Sequence, residues 1–221
     1  MKKSIFLVIV ISMMAFSNPP DEIHGNDDFA FSIFRQMAVG STENVFMSPL
    51  SIDMAFSMAA NGATGNTFDQ MADVLGFEGS ITDVNADMKE IMSELDGADE
   101  KVTIKIANSL WGNETVEIKK GFRDVLKEYY DAHFESLNFV GKSAAKKING
   151  WVKDRTEGMI DKVIETTTPD DLLVLVNAIY FDGEWSRKFK KEATYDAKFH
   201  GPEEDIELRM MSQRSNFRYS E

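Results

Sequence analysis

The sequence predicts an α+β fold. Three observations carry that prediction: helical periodicity dominates the first hundred residues, a period-two pattern sets in at Lys101, and an unbroken apolar run lies between Leu172 and Phe181. Strands and helices alternate after that point, and no repeat, linker or low-complexity tract divides the chain. A single domain over residues 26–221 is therefore expected.

The opening residues stand apart from it. Lys2 and Lys3 precede an apolar run from Ile5 to Phe16, and Ala15-Phe16-Ser17 supplies small residues at the spacing a signal peptidase reads. Residues 1–17 read as an export signal, followed by a tail at 18–25. The alternative, a membrane anchor, needs roughly 20 apolar residues, more than this run provides. The expected location is extracellular, or periplasmic in a bacterium.

Segment 26–38 sets Phe29, Ala30, Ile33, Phe34 and Met37 on one helical side, with Asn26 or Asp27 placed to cap it. Asn44 to Met47 reads as a short strand leading into Ser48-Pro49, an N-cap followed by a first-turn proline that needs no donor. The helix begun there ends near Asn61-Gly62. A third helix runs from about Thr64 to Leu75 and stops at Gly76. Segment 81–95 is helical and acidic.

From Val102 the residues Val102, Ile104, Ile106 and Leu110 share one face of a strand, and Asn108 interrupts their row. Phe122 to His133 has helical spacing, Phe134 to Val140 is briefly extended, and a further helix starts near Ser143. Leu172 to Phe181 has the pattern of a strand covered on both faces, with Asn177 in its middle. Tyr195 to Phe199 and Ile206 to Met211 are two more strands, joined at Gly201-Pro202.

Composition removes several function classes. The chain carries 24 basic and 37 acidic residues for a formal charge of −13, and loss of Lys2 and Lys3 takes it to −15. Such a surface repels phosphate backbones and anionic lipid, so neither nucleic acid nor membrane is the expected partner. The absence of cysteine removes disulfides and a thiolate nucleophile.

His24, His133 and His200 have no metal-ligand partner at helical spacing, so no metal and no cofactor are expected. There is no G-x-S-x-G elbow, and Gly62-Ala63-Thr64-Gly65 is a helix-to-helix turn rather than a phosphate cradle. Catalytic residues are accordingly not expected. Asn113-Glu114-Thr115 fits a glycosylation acceptor, a triplet common by chance.

Three segments together carry a resemblance. They are Asn44-Val45-Phe46-Met47-Ser48-Pro49-Leu50-Ser51-Ile52 with Met58 to Ala63 and Gly65 to Met71; Ile106-Ala107-Asn108-Ser109-Leu110-Trp111; and Ile148-Asn149-Gly150-Trp151-Val152 with Thr156 to Ile160, then Leu175 to Trp185. Together they resemble the serpin family of serine protease inhibitors over residues 26–221. The resemblance implies an incomplete serpin fold: N-terminal helices, strands 1–3 of sheet A, and the start of sheets B and C.

It also implies a mechanism. In serpins a protease cleaves an exposed reactive-centre loop, is held as an acyl-enzyme, and is distorted as the loop inserts into sheet A. Ser48, Ser51 and Asn177 match the cluster called the shutter, and Trp185 matches the tryptophan of the breach. Spacing alone leaves a second reading open, in which Ser48 only caps its helix and Asn177 bonds locally.

The partner implied for a full-length form is a serine or cysteine protease. Heparin is not expected, because serpins that use it carry Lys and Arg where segment 81–95 is acidic. The family's hinge, scissile bond and opposite wall of sheet A fall beyond the positions matched here. The expectation is therefore a fragment, non-inhibitory by itself, whose strand 172–181 has an open edge that draws in a strand from elsewhere. A non-inhibitory serpin with a binding, storage or chaperone role is the alternative.

Overall fold

A computed structural model describes residues 5–11 (backbone only), 25–41, 44–45, 47–97, 100–201 and 204–214. In chain order the elements are β1 (Ile5–Ile11), α1 (Gly25–Ala38), α2 (Pro49–Ala60), α3 (Asn66–Leu75), α4 (Ile81–Leu95), β2 (Val102–Asn113), α5 (Lys120–Tyr130), β3 (His133–Leu137), α6 (Ser143–Arg155), β4 (Leu173–Gly183), β5 (Thr194–His200) and β6 (Asp205–Met211). They form two compact units that part after Asp182.

The first unit is built on a four-stranded sheet in the order β1-β4-β2-β3. β2 and β3 are parallel, with Leu110 opposite Phe134. Side chains on β4 alternate between two cores. Val174, Val176 and Ala178 join Ala107, Trp111, Ile148 and Val152 under α6. On the other face Leu175 joins Met54, Met58, Met88, Leu110, Leu126 and Tyr130, from α2, α4, β2 and α5. A strand between two helical layers needs apolar residues on both sides, which is why its run shows no alternation.

Local signals explain where the helices stop and start. Ser48 is extended and its hydroxyl accepts from the Ser51 amide at 3.2 Å, while Pro49 occupies the first turn. Ser80 and Asp83 form a capping box at the head of α4. Gly76 ends α3 in the left-handed region at φ 66, where a side chain would be strained.

Several expectations need correction. Asn44, Val45 and Met47 are not in a strand, and Phe46 lies outside the described residues. A strand is a paired object, and among the described residues nothing offers this segment a ladder. α1 starts at Gly25, ahead of both residues expected to cap it, and Phe34 and Met37 on its apolar face are 46% and 51% exposed. α5 stops at Tyr130, because Asp131 turns left-handed at φ 46 and releases His133 into β3.

The edge of β4 is not open either. β1, within the segment read as an export signal, pairs with it antiparallel from Ile5↔Phe181 to Ile11↔Leu175. The remainder of that segment, residues 1–4 and 12–17, the tail at 18–24, and His24 with it, lie outside the described residues.

The second unit contains the antiparallel hairpin β5–β6, closed by the Gly201 amide donating to the Glu204 carbonyl at 3.1 Å. Pro202, expected in that turn, lies outside the described residues.

Candidate functional site

Asn177 is fully buried at the centre of β4, on the face toward α2. A primary amide there has to find partners, since each polar group left unpaired in a core costs about 1–3 kcal/mol. Ser51 supplies one. Its hydroxyl, also fully buried in the first turn of α2, donates to Asn177 Oδ1.

Asn177 Nδ2 in turn donates to Asn108 Oδ1 at 2.7 Å and approaches the Met54 sulfur at 3.8 Å. Asn108 Nδ2 passes the chain on to the Tyr130 carbonyl at 2.8 Å. Four elements, α2, β4, β2 and the end of α5, are thereby tied by one line of polar bonds.

The line continues from the same tyrosine. Tyr130 Oη donates to Asn85 Oδ1 at 2.7 Å, and Asn85 and Asn61 exchange amide bonds at 2.8 Å. Asn61 Nδ2 also donates to the Ser57 carbonyl at 2.9 Å, and the Ser57 hydroxyl to Asp53 Oδ1 at 3.2 Å. The seam therefore leaves α2 at Ser51 and returns to it at Asp53. Apart from Asn61, every side chain along it is buried.

Burial drives the ionisation along the seam. The Asp53 carboxyl is pushed from 3.8 up to about 6 by desolvation, against a smaller pull from the Ser57 hydroxyl. Tyr130 is likewise raised from its usual value, chiefly by desolvation.

Of the four residues singled out from sequence, Ser51 and Asn177 meet directly. Ser48 lies three residues before Ser51, and its hydroxyl caps the start of α2 by accepting from the Ser51 amide. Asn177, by contrast, bonds to partners 126 and 69 residues away rather than locally. Trp185 belongs to the second unit, where it is 58% exposed and meets Phe189 edge-on at 5.2 Å between ring centroids.

Sequence reasoning left Asn108 outside the site although the signal was present: an amide in the apolar row of β2, the anomaly that marked Asn177. Asp53, Ser57, Asn61, Asn85 and Tyr130 carried no such mark. Each is ordinary in its own helix, and only packing brings the three helices together.

His133 lies between Trp111 and Trp151, with ring centroids at 5.1 and 5.7 Å, and His200 pairs with Asp205 at 2.7 Å. Among the described residues no group of three or more His, Cys, Asp or Glu side chains could hold a metal ion.

Comparison with known proteins places the fold that carries this seam. The family model described as Serpin (serine protease inhibitor) matches residues 24–221. The chain belongs to the serpin family.

Serpin B6 of Macaca fascicularis is 34% identical over 87% of this chain and 53% of its own length. The leukocyte elastase inhibitor of Equus caballus is 36% identical over 88% and 53%. A crystal structure of cleaved kallistatin complexed with heparin superposes with a TM-score of 0.79 at 28% identity, covering 84% of this chain and 56% of that one. The chain thus spans about half the length of the relatives it matches.

Proposed function

We propose that these residues are the N-terminal portion of a secreted serpin, and that its full-length form inhibits a serine or cysteine endopeptidase by loop insertion and covalent trapping. In this reading the chain is not an enzyme, and by itself it traps nothing. The observation that carries the proposal is the bond from Ser51 to Asn177 with its continuation to Asn108, a polar clasp beneath the buried strand β4.

Physically, the clasp has the properties a shutter requires. Its bonds exist only while α2, β4 and β2 keep their spacing, so any widening of the sheet breaks them together and the resistance is cooperative. Ser48 fixes the start of α2 and hence the position of Ser51. Trp185, just past the end of β4, would serve the breach. Secretion is supported by the pattern of residues 1–17, and among the described residues no helix is long and apolar enough to cross a membrane.

Heparin is not a proposed partner, because Asp83, Asp87, Glu90 and Glu94 lie on α4 with Lys89 as its one basic residue. The test uses the protein extended to the length of its relatives. Mixed with a panel of serine and cysteine endopeptidases, it should give a complex that survives boiling in detergent with at least one of them. Cleavage of the inhibitor with no adduct in every case would favour a binding, storage or chaperone role. The 221-residue chain alone should give no adduct.

A further inference from the structure

The shutter reading leaves Asp53 without a task. It lies in the first turns of α2, two residues after Ser51, and is 5% exposed. Among the described residues no Lys, Arg or His forms an ion pair with it, and its carboxylate accepts one long bond, from Ser57. A buried anion with a single hydroxyl for company is costly when charged and acceptable when protonated.

Desolvation and the Ser57 hydroxyl are the influences on its carboxyl, with no charged neighbour among them. Along the seam, α4 contributes Asn85, β2 contributes Asn108, and β4 contributes Asn177. The titratable side chain in the seam besides Asp53 is Tyr130 of α5, which burial holds neutral. Ionisation of Asp53 thus acts on α2, one turn of helix or less from the hydroxyl that holds β4, and on Tyr130, whose hydroxyl its charge also disfavours ionising.

We propose that Asp53 is a proton-controlled catch on the sheet: protonated, it lets α2 seat firmly beneath β4, and ionised, it loosens that seat so that β4 and its edge open more readily. The direction is set by desolvation, and the value of about 6 places the change in the mildly acidic range. Acid tightens the sheet and neutral pH frees it. The inference rests on the shutter reading only in assigning opening of the sheet a use; the coupling between Asp53 and β4 is testable without it.

The test is hydrogen exchange of the α2 and β4 amides in the whole chain at pH 5, 6 and 7, corrected for intrinsic rates. Protection in the unmodified chain should fall on the order of 10-fold or more between pH 5 and 7, while Asp53→Asn should hold its protection constant. Asp53→Ser serves if the asparagine variant does not fold, and carboxyl-carbon NMR of Asp53 should titrate near 6. Equal pH profiles in the unmodified and substituted chains, or a carboxyl that titrates below about 4.5, near the usual carboxylate range, would overturn the proposal. Failure of the full-length protein to trap any protease would leave this result untouched and bear on the inhibitor reading alone.

Discussion

β4 and the β5–β6 hairpin both carry large apolar side chains, yet they live in opposite surroundings. Val174 to Ala178 are buried to 5% exposure or less, and the row includes an asparagine. On the hairpin Phe199, Ile206, Leu208 and Met211 are each more than 40% exposed. The unbroken apolar run of β4 told of cover on both faces, whereas the mixed residues of the hairpin told only that it is a pair of strands. Coverage is decided by layers: α6 and α2 close over β4, whereas nothing described within the second unit lies across its hairpin.

That contrast can be broken most forcefully at Asn177. Asn177→Leu keeps the branched heavy-atom skeleton but leaves the Asn108 side-chain carbonyl and the Ser51 hydroxyl without partners. The expected loss is about 4 kcal/mol in urea unfolding of the whole chain, from two unpaired groups at about 1–3 kcal/mol each. A loss under about 1 kcal/mol would mean the clasp is not holding the sheet.

Next in size is removal of the strand beside it. A chain beginning at residue 18 lacks β1, so the β4 amides that face it should exchange on the order of 100-fold faster, or the chain should self-associate through that edge. Exchange unchanged in a monomeric truncated chain would show the pairing to be unimportant. Val176→Ala should cost about 2 kcal/mol, the usual order for a small cavity between two packed layers. At the low end, Leu208→Ser on the hairpin should move stability by no more than about 0.5 kcal/mol, because the leucine is 44% exposed before substitution.

A pair of carboxylates sharpens the same comparison. Asp83 is exposed, and the Ser80 hydroxyl and amide hold its carboxyl below the ordinary value. Asp53 is buried and raised to about 6. Between 3.8 and about 6 the folded chain keeps a proton on Asp53 that the unfolded chain releases. Its contribution to stability is therefore full below 3.8 and lost as pH rises through about 6. In urea titrations the midpoint should fall across that interval and the fall should shrink in Asp53→Asn.

How much of this was legible beforehand depended on whether the signal was local. Ser48-Pro49 announces a helix start with two adjacent residues, and the period of β2 needs only its own row. Asn177 was legible because an amide amid valines is anomalous in one dimension. The strand expected at 44–47 failed because pairing is not a property of one segment. α1 is helical as its pattern implied, but an amphipathic stripe says only that a cover is wanted, and Phe34 and Met37 stay 46% and 51% exposed. The return of the seam through Asn61, Asn85 and Tyr130 links helices 24 and 45 residues apart, and no spacing rule reaches across such loops.

The 126 residues between Ser51 and Asn177 also have a meaning in time. A ribosome adding roughly 5–20 residues per second needs about 6–25 s to make the second partner after the first. For the last 69 residues of that interval the nascent chain carries both the Ser51 hydroxyl and the Asn108 amide without their common partner, with the methionines of α2 still wet. Chaperones that recognise greasy, unfinished surfaces would meet this chain early, and slowing translation ahead of codon 173 should lengthen their stay.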